Sequence, residues 1–335
     1  MERDSMRTIG GTSVLLISAL FAFSAVLPSA TPSSDAGSLA EASRAAPFLG
    51  RWDVTIHTQG HDYGSWLEIT SVAGQLQGRM VTRWGHAHAV LNLRADGGVL
   101  TFSSPKSEEA MPEDMAFRGR LVDGKLSGET AGPNGAQWTW TGERAPTLKR
   151  AAAPRWGKSI PLFNGVDTEG WRFLQPKVSS NWSVKDHVLT TARRGSDIAT
   201  TRKFRDFKLH VEFNCAVKCN SGVYLRGRYE VQVADISGSG TPPNRRAGAI
   251  YGYLSPSPEV VVTPGVWQTF DITLVGRTVT VASNGKTVID QQEIPGVTGG
   301  ALDSNEGEPG PIYLQGSEYA GATSYRNIVI TPATE

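Results

Sequence analysis

This sequence has few cysteines and little net charge. Its 335 residues include two cysteines, and 33 basic residues nearly balance 32 acidic ones, for a formal net charge of +1. A nucleic-acid-binding surface needs a basic stripe, and none is visible. Phosphate-binding glycine loops with lysine, zinc-protease helix motifs and serine-hydrolase elbows are also missing from the sequence. These absences argue against nucleic acid as a partner and against the commonest nucleotide-dependent and hydrolytic machineries.

Long hydrophobic runs are missing too, except near the N-terminus. Arg3 and Arg7 precede an apolar run from Ser13 to Pro28, and small residues follow it. The run is short for a bilayer span and predicts a signal peptide over residues 1–30, with an uncleaved anchor as the alternative. We therefore expect a periplasmic or secreted protein that has no membrane span after signal cleavage.

The length of the chain favours two domains over one. Small and polar residues over 31–46 predict a spacer, and the first folded domain is expected at 47–145. Alanine, proline and basic residues over 146–159 are typical of a linker. The second domain is then expected at 160–335.

Both domains show the pattern of all-β folds. No stretch keeps a 3.6-residue hydrophobic period, whereas short alternating runs are separated by turn segments such as ADGG, VDGK and GPNG. In the first domain these runs predict strands at residues 51–57, 65–70, 76–83, 88–93, 99–103, 116–121, 125–129 and 137–142. Such a series suggests a small β-barrel or sandwich, and the opening FLGRWDV resembles lipocalin-like barrels.

The second domain is also rich in predicted strands. They fall at residues 182–190, 207–213, 222–226, 229–233, 267–274, 278–282, 286–290, 312–315 and 325–331. The clearest local signal is Asn284-Gly285, which lies between two alternating runs and favours a type I′ hairpin turn.

Cysteine and histidine leave several interpretations open. Cys215 and Cys219 are four positions apart, which suits a small disulfide loop or two free thiols better than a metal site. His86 and His88 share one face of a predicted strand, and His57 precedes them. These histidines fit either metal ligands or, more simply, exposed strand residues.

The segment NSGVYLRGRYEVQVAD, residues 220–235, carries the most chemical information. Side chains alternate between faces along a strand, so Arg228, Glu230 and Gln232 share one face. Tyr229 and the valines share the opposite, core-like face. A face that combines a cation, a carboxylate and an amide suits the hydroxyl groups of a sugar. Counting by parity also places Arg226 on this polar face, unless Gly227 interrupts the register.

Several motifs in the second domain follow one another in a recognisable order. They are LFNGVDTEGW, NWSVKDHVL, NSGVYLRGRYEVQVAD, GAIYGY, PGVWQTFDITLVG, GALDSNEGEPGPIYLQG and YRNIVI. Over about residues 160–332 the chain resembles the 3-keto-disaccharide hydrolase family. The resemblance implies a concanavalin A-like jelly-roll sandwich with a sugar site on its concave sheet. One departure is Ser317-Glu318 after the LQG motif, where family members often carry an Asp-His pair.

The resemblance implies a particular chemistry at the sugar. A ketone at carbon 3 acidifies the hydrogen on carbon 2, so removal of that proton allows 1,2-elimination of the glycosidic oxygen, followed by hydration. We expect Glu230 to be the base, with Arg226 or Arg228 stabilising the enolate and Asp235 nearby. Direct hydrolysis with two carboxylates is the competing mechanism.

The remaining expectations concern the ligands. An oligosaccharide or glycoside substrate is expected to contact Asn220, Gln232, Tyr251, Tyr253 and Gln315. The loop LDSNEGE brings together Asp303, Asn305 and Glu306, which fit either a divalent cation site, for Ca²⁺ or Mn²⁺, or a solvated acidic loop. Two rival functions remain: a non-catalytic, lectin-like carbohydrate-binding module, or a cell-surface interaction domain in which the barrel is the working part.

Overall fold

The computed structural model describes residues 44–236, 240–317 and 321–334. The predicted signal peptide at 1–30 and most of the spacer at 31–46 lie outside the described residues. No helix within the described part of the chain is long and apolar enough to cross a membrane.

The first domain is one antiparallel sheet of nine strands, whose spatial order is β4-β3-β2-β1-β9-β8-β7-β6-β5. The strands are β1 Gly50–His57, β2 Asp62–Val72, β3 Gln75–Val81, β4 Ala87–Ala89, β5 Leu91–Asp96, β6 Val99–Ser104, β7 Met115–Val122, β8 Lys125–Ala131 and β9 Gln137–Arg144. A single-turn helix, α1, covers Lys106–Glu109. Short 3₁₀ turns cover Ala46–Phe48 and Pro133–Gly135 in this domain. A third 3₁₀ turn, Pro243–Arg245, lies in the second domain.

Buried apolar residues alternate with outward-facing residues along these strands, and the sheet curves around one hydrophobic core. Trp52, Val54 and Ile56 on β1 are buried, while the residues between them face outward. The two ends of the sheet approach each other where the backbone N–H of Val90 donates to the carbonyl of Gly78, at 2.9 Å. The result is a nearly closed barrel, in agreement with the predicted small β-barrel.

The strand predicted at 88–93 is two strands. β4 pairs with β3, whereas β5 pairs with β6 at the other end of the sheet. The backbone of Asn92 has a φ of +53° inside this region, and the pairing of β5 is irregular there. The alternating pattern missed the break because both pieces alternate and one residue, Val90, separates them.

The second domain contains two sheets. The larger sheet has the order β13-β14-β23-β16-β19-β20-β21, with β10 and β11 also paired to β23, and the smaller sheet has the order β12-β15-β22-β17-β18. Its strands are β10 Arg155–Trp156, β11 Ile160–Pro161, β12 Trp171–Phe173, β13 Trp182–Lys185, β14 Val188–Thr191, β15 Ile198–Thr200, β16 Phe207–Cys215, β17 Asn220–Leu225, β18 Tyr229–Ala234, β19 Trp267–Val275, β20 Thr278–Ser283, β21 Lys286–Glu293, β22 Tyr313–Leu314 and β23 Thr323–Thr334.

The two sheets pack face to face around the main core. Val211 and Phe213 from the large sheet and Val223 and Val231 from the small sheet are fully buried in one hydrophobic cluster. This is a β-sandwich, so the all-β class predicted for both domains is confirmed. Because the core takes one face of each strand of the small sheet, its other face is left for polar side chains.

The sequence predicts one turn of the second domain correctly and misses another. The Asn284-Gly285 hairpin forms as predicted, with φ angles of +49° and +78°. The strand predicted at 182–190 is instead a hairpin, because Asp186 and His187 take φ angles of +51° and +61°. Asp-His is a rarer pair for a type I′ turn than Asn-Gly, so the turn was missed.

Candidate functional site

A cleft of about 910 Å³ lies between the barrel and the polar face of the small sheet. The barrel contributes Thr58, His61, Asp62, Tyr63, Arg83 and Trp138. The second domain contributes Arg172, Leu174, Gln175, Asp197, Lys203, Arg228, Gly300, Ala301, Leu302, Asp303, Pro309, Pro311, Tyr313 and Gln315. Clefts between domains are common ligand sites, and this one exists only because the two domains meet.

Close backbone contacts hold the two domains together beside the cleft. The N–H of Gly299 donates to the carbonyl of Gly85 at 3.0 Å, and Trp66 Nε1 donates to the carbonyl of Val297 at 3.0 Å. A Cβ atom on Gly85 would lie 2.3 Å from Gly299 Cα, so the approach requires glycine. The segment around residues 297–300 is therefore pressed between the barrel and the small sheet.

Glu230 lies on the polar face of the small sheet, as alternation predicts, but beneath that segment. Its neighbours Tyr229 and Val231 belong to the main core. Glu230 is 3% exposed, and a Cβ on Gly299 would lie 2.1 Å from its Oε2. Across the strand pair it faces Tyr224, whose hydroxyl accepts a hydrogen bond from Gly300 N–H at 2.9 Å. Glu230 therefore supports the floor of the cleft rather than lining it.

Asp197 is a cleft carboxylate that the sequence did not reveal. It directly precedes β15, and its Oδ1 accepts from the backbone N–H of Gly316 at 2.7 Å. Its Oδ2 accepts from Gln175 Nε2 at 3.0 Å and from the Tyr313 hydroxyl at 3.3 Å. Burial raises the pKa of Asp197, although these three donors act against the rise. Raised carboxyl pKa values in clefts are typical of groups that transfer protons.

Positive charge lines the same cleft. Arg228 is 2% exposed, and its Nε donates to Asp303 Oδ1 at 2.7 Å while its Nη1 donates to the carbonyl of Glu308 at 2.9 Å. Arg83, Arg172 and Lys203 also line the walls. Fixed cations of this kind suit a ligand on which negative charge develops.

The prediction that Arg226 shares the face of Glu230 is wrong. Arg226 begins the loop between β17 and β18 with a φ of +53°, and this left-handed backbone breaks the strand alternation. Its Nη2 donates to the hydroxyl of Tyr229 at 2.9 Å and to the carbonyl of Gly276 at 2.8 Å. The guanidinium therefore lies on the core side of the sheet, away from the cleft.

Asp235 also lies apart from the cleft. Its Oδ2 accepts from the backbone N–H of Lys218 at 2.9 Å, beside the disulfide loop. β18 ends at Ala234, so Asp235 follows the end of the strand opposite to Arg228. Asp235 was a candidate catalytic residue whose direction the strand pattern left open, and the length of β18 separates it from Arg228.

The expected cation site in the loop LDSNEGE does not form. Glu306 is 1% exposed and makes two hydrogen bonds to Arg277, at 3.0 and 2.7 Å. Asp303 points the other way, toward Arg228, and accepts from the backbone N–H of Asn305 at 2.9 Å. Because each carboxylate is paired with a different arginine, the three side chains do not converge, and these residues do not fit Ca²⁺ or Mn²⁺.

The predicted substrate-contact residues are divided between the cleft and its surroundings. Gln315 lines the cleft. Asn220 and Gln232 hydrogen-bond to each other at 3.0 Å further along the same face. Tyr253 lies 5.9 Å from the guanidinium of Arg79 on the barrel, and Tyr251 N–H donates to the carbonyl of Glu230. Tyr253 thus belongs to the domain contact, whereas Tyr251 is bound to β18 of its own domain.

The cysteines form a disulfide, one of the two states that the sequence left open. Cys215 and Cys219 are bonded, with their Cα atoms 5.6 Å apart. Both are fully buried at the edge of the main core. Neither lines the cleft, so a structural role fits them.

Comparison with known proteins assigns the second domain to a family. A family model described as a 3-keto-α-glucoside-1,2-lyase-like domain matches residues 158–331, more than half of the chain. This match confirms the resemblance seen in the motifs. No curated protein matches the chain.

Solved structures similar to the chain include two proteins of Parabacteroides distasonis ATCC 8503, each described as a "putative glycosyl hydrolase". The first is 29% identical to this chain and has a TM-score of 0.45. The match covers 56% of this chain and 93% of the solved protein. The second is 28% identical, covers 52% and 98%, and has a TM-score of 0.42. The carbohydrate-binding module CBM66 of Bacillus subtilis is 11% identical, covers 48% and 95%, and has a TM-score of 0.32.

Proposed function

Because the chain belongs, through residues 158–331, to the family of 3-keto-α-glucoside-1,2-lyase-like domains, we propose that it is an exported enzyme that cleaves the glycosidic bonds of 3-keto glycosides. The family supports action on a glycoside. The observation that supports this chemistry most directly is Asp197, a half-buried carboxylate of raised pKa in a cleft that also holds Arg228.

Asp197 is proposed as the base that removes the proton from carbon 2. A carboxyl group whose pKa is raised by burial binds a proton more strongly than an exposed one, which suits a general base. Gln175 and the Gly316 N–H hold its oxygens in place. The proton taken from carbon 2 can be passed by the same carboxyl group to the departing glycosidic oxygen. Hydration of the resulting double bond completes the cleavage.

Arg228 is proposed to stabilise the enolate oxygen that forms at carbon 3. Its guanidinium is fixed by Asp303 and by the carbonyl of Glu308, so it needs no reorganisation when charge develops. Donors fixed in this way typically contribute about 3–4 kcal/mol to a reaction of this type. Lys203 and Arg172 make the rest of the wall cationic.

Glu230 takes a positioning role in this proposal. To act as the base it would need the segment around Gly299 to move away, whereas Asp197 lines the cleft already. Its position beneath Gly299 and beside Tyr224 supports a part in holding the cleft floor. Tyr224 stacks on Tyr313 at 4.0 Å between ring centres, and the Tyr313 hydroxyl contacts Asp197.

The barrel is proposed to bind the leaving sugar. Tyr63 and Trp138 line the cleft from the barrel side, with their rings edge to face and 6.2 Å apart. Aromatic rings with polar edges suit the apolar faces of a pyranose. The substrate would then lie across the domain boundary, with the oxidised ring on the small sheet.

The test is turnover of a 3-keto glycoside, with the unoxidised glycoside as the substrate control. We expect Asp197→Asn to lower kcat by about 10²-fold or more, the usual scale for a general base, while sugar affinity is kept. Glu230→Gln should have a smaller effect that includes lower thermal stability. Asp235→Asn is the matched control, because its carboxylate caps a turn outside the cleft.

Two outcomes would contradict these assignments. Full activity of Asp197→Asn together with an inactive, normally folded Glu230→Gln would return the base role to Glu230. Sugar binding without turnover of either substrate would identify a carbohydrate-binding module instead of an enzyme.

A further inference from the structure

Three metal-ligating side chains meet in the barrel, and none of them lines the cleft. Across residues 44–236, 240–317 and 321–334, one group of three His, Cys, Asp or Glu side chains brings its ligand atoms within 4.8 Å of one another. The group consists of His86, His88 and Glu108. His86 directly precedes β4 and His88 lies within it, whereas Glu108 belongs to α1. Two imidazoles and a carboxylate form a ligand set that zinc commonly uses in proteins.

Hydrogen bonding fixes which nitrogen of His88 carries the proton. Ser104 Oγ donates its proton to Glu109 Oε1 at 2.6 Å. Since the Ser104 hydroxyl has one proton, its Oγ must accept a hydrogen bond from His88 Nε2, which lies 2.8 Å away. Nε2 is then protonated, and in the neutral ring Nδ1 carries the lone pair.

The lone pair on His88 Nδ1 faces a carbonyl oxygen, which is unfavourable unless a cation lies at Nδ1. His88 Nδ1 lies 3.2 Å from the main-chain carbonyl oxygen of His86, so two acceptors face each other. A metal ion at Nδ1 removes the conflict with the ring neutral, the form in which imidazole binds metals.

The surroundings also resemble those of a metal site. The Glu109–Ser104–His88 chain has the form of the outer-shell contacts that orient metal-bound histidines. His86 Nε2 contacts Glu108 Oε2, and His86 Nδ1 is buried without a hydrogen-bond partner. Arg83 donates to the main-chain carbonyl of Glu109 rather than to a carboxylate. Glu108 and Glu109 thus place two carboxyl groups beside the two imidazole rings.

We propose that His86, His88 and Glu108 bind a Zn²⁺ ion, with water in the fourth position. Ligand atoms about 2 Å from a tetrahedral zinc ion lie about 3.3 Å apart, so small side-chain rotations would complete the site. Gly85, next to His86, accepts the hydrogen bond from Gly299 N–H. The ion therefore fixes the barrel segment that presses residues 297–300 onto the small sheet, and its role is structural.

The experiment uses the untagged, metal-stripped full chain. Calorimetric titration with Zn²⁺ should give one site per chain with a micromolar or lower Kd, and zinc should raise the Tm. Co²⁺ should give the strong visible absorption of a tetrahedral site. His88→Gln and Glu108→Gln should each weaken binding by at least about 100-fold, and Ser104→Ala by about 10–100-fold as an outer-shell change.

His57→Gln is the matched control. His57 is also a barrel histidine beside a carboxylate, with Nδ1 2.9 Å from Asp62 Oδ2, but within the described part of the chain no third ligand joins this pair. This variant should bind zinc as the unchanged chain does. The proposal is overturned if the unchanged chain shows no stoichiometric Zn²⁺ binding and no tetrahedral Co²⁺ spectrum. It also fails if His57→Gln loses as much affinity as Glu108→Gln.

Discussion

Asp53 on β1 makes the contact between the domains sensitive to pH. Burial and, next, the Glu306 carboxylate raise its pKa from 3.8 to about 8, while Arg277 and Arg51 oppose the rise. Burial also acts to raise the pKa of Glu306, but the hydrogen bonds and charge of Arg277, together with the hydrogen bonds to Asp53 and Tyr229, outweigh that effect and hold the pKa below its usual value. At neutral pH Asp53 is therefore protonated and shares its proton with an ionised Glu306.

The sign of the pH dependence follows from these directions. In the unfolded chain Asp53 ionises near pH 4, whereas in the folded chain it keeps its proton up to about pH 8. Its contribution is fully present below pH 4 and is lost as pH rises through 8. Over that window the loss amounts to on the order of 5 kcal/mol for the coupled pair. Asparagine can donate to Glu306 without ionising, so Asp53→Asn should remove this loss.

Urea unfolding at pH 5, 6.5 and 8 measures the effect. The free energy of unfolding of Asp53→Asn should exceed that of the unchanged chain by an amount that grows with pH, by up to about 1.4 kcal/mol per pH unit. Asp96→Asn is the matched control, because the Asp96 side chain on the same barrel is 81% exposed. Parallel pH profiles for Asp53→Asn and the unchanged chain would refute the reasoning.

Three further predictions concern packing around the cleft. Gly299→Ala should lower both stability and kcat, since its Cβ would clash with the carboxylate beneath it, whereas Gly60→Ala, with no atom within 4 Å, should behave as the unchanged chain in both assays. Trp66→Phe removes one hydrogen bond between the domains and should lower the free energy of unfolding, measured in urea, by about 1 kcal/mol. A variant that keeps its free energy of unfolding but loses activity would contradict a purely structural role. Replacing both Cys215 and Cys219 with serine should lower stability by only about 1–2 kcal/mol, because the closed loop is short, and a fully inactive but stable variant would be the opposite result.

Local patterns in the sequence predicted most of the strands. Period-two alternation and the Asn-Gly turn depend on neighbouring residues, so they placed β20, β21 and the buried side of β18 correctly. The same rule failed at Arg226, where one left-handed residue changed the direction of the side chain. Parity arguments hold only as far as the backbone stays extended.

The cleft could not be predicted in the same way, because it depends on contacts distant in sequence. Asp197 precedes a three-residue strand and belongs to no motif, and its raised pKa arises from burial by other parts of the chain. Glu306 looked like a metal ligand because acidic residues surround it in sequence. Its partner Arg277 lies 29 positions away. Pairing of this kind is visible only in the folded domain.

Cleavage of a 3-keto glycoside in D₂O tests the central claim most directly, namely that Asp197 removes the proton from carbon 2. Proton abstraction predicts deuterium at carbon 2 of the product sugar, a slower reaction with substrate deuterated at carbon 2, and loss of exchange and cleavage together in Asp197→Asn. Cleavage that leaves the original hydrogen on carbon 2 would contradict the account and favour direct hydrolysis by two carboxylates.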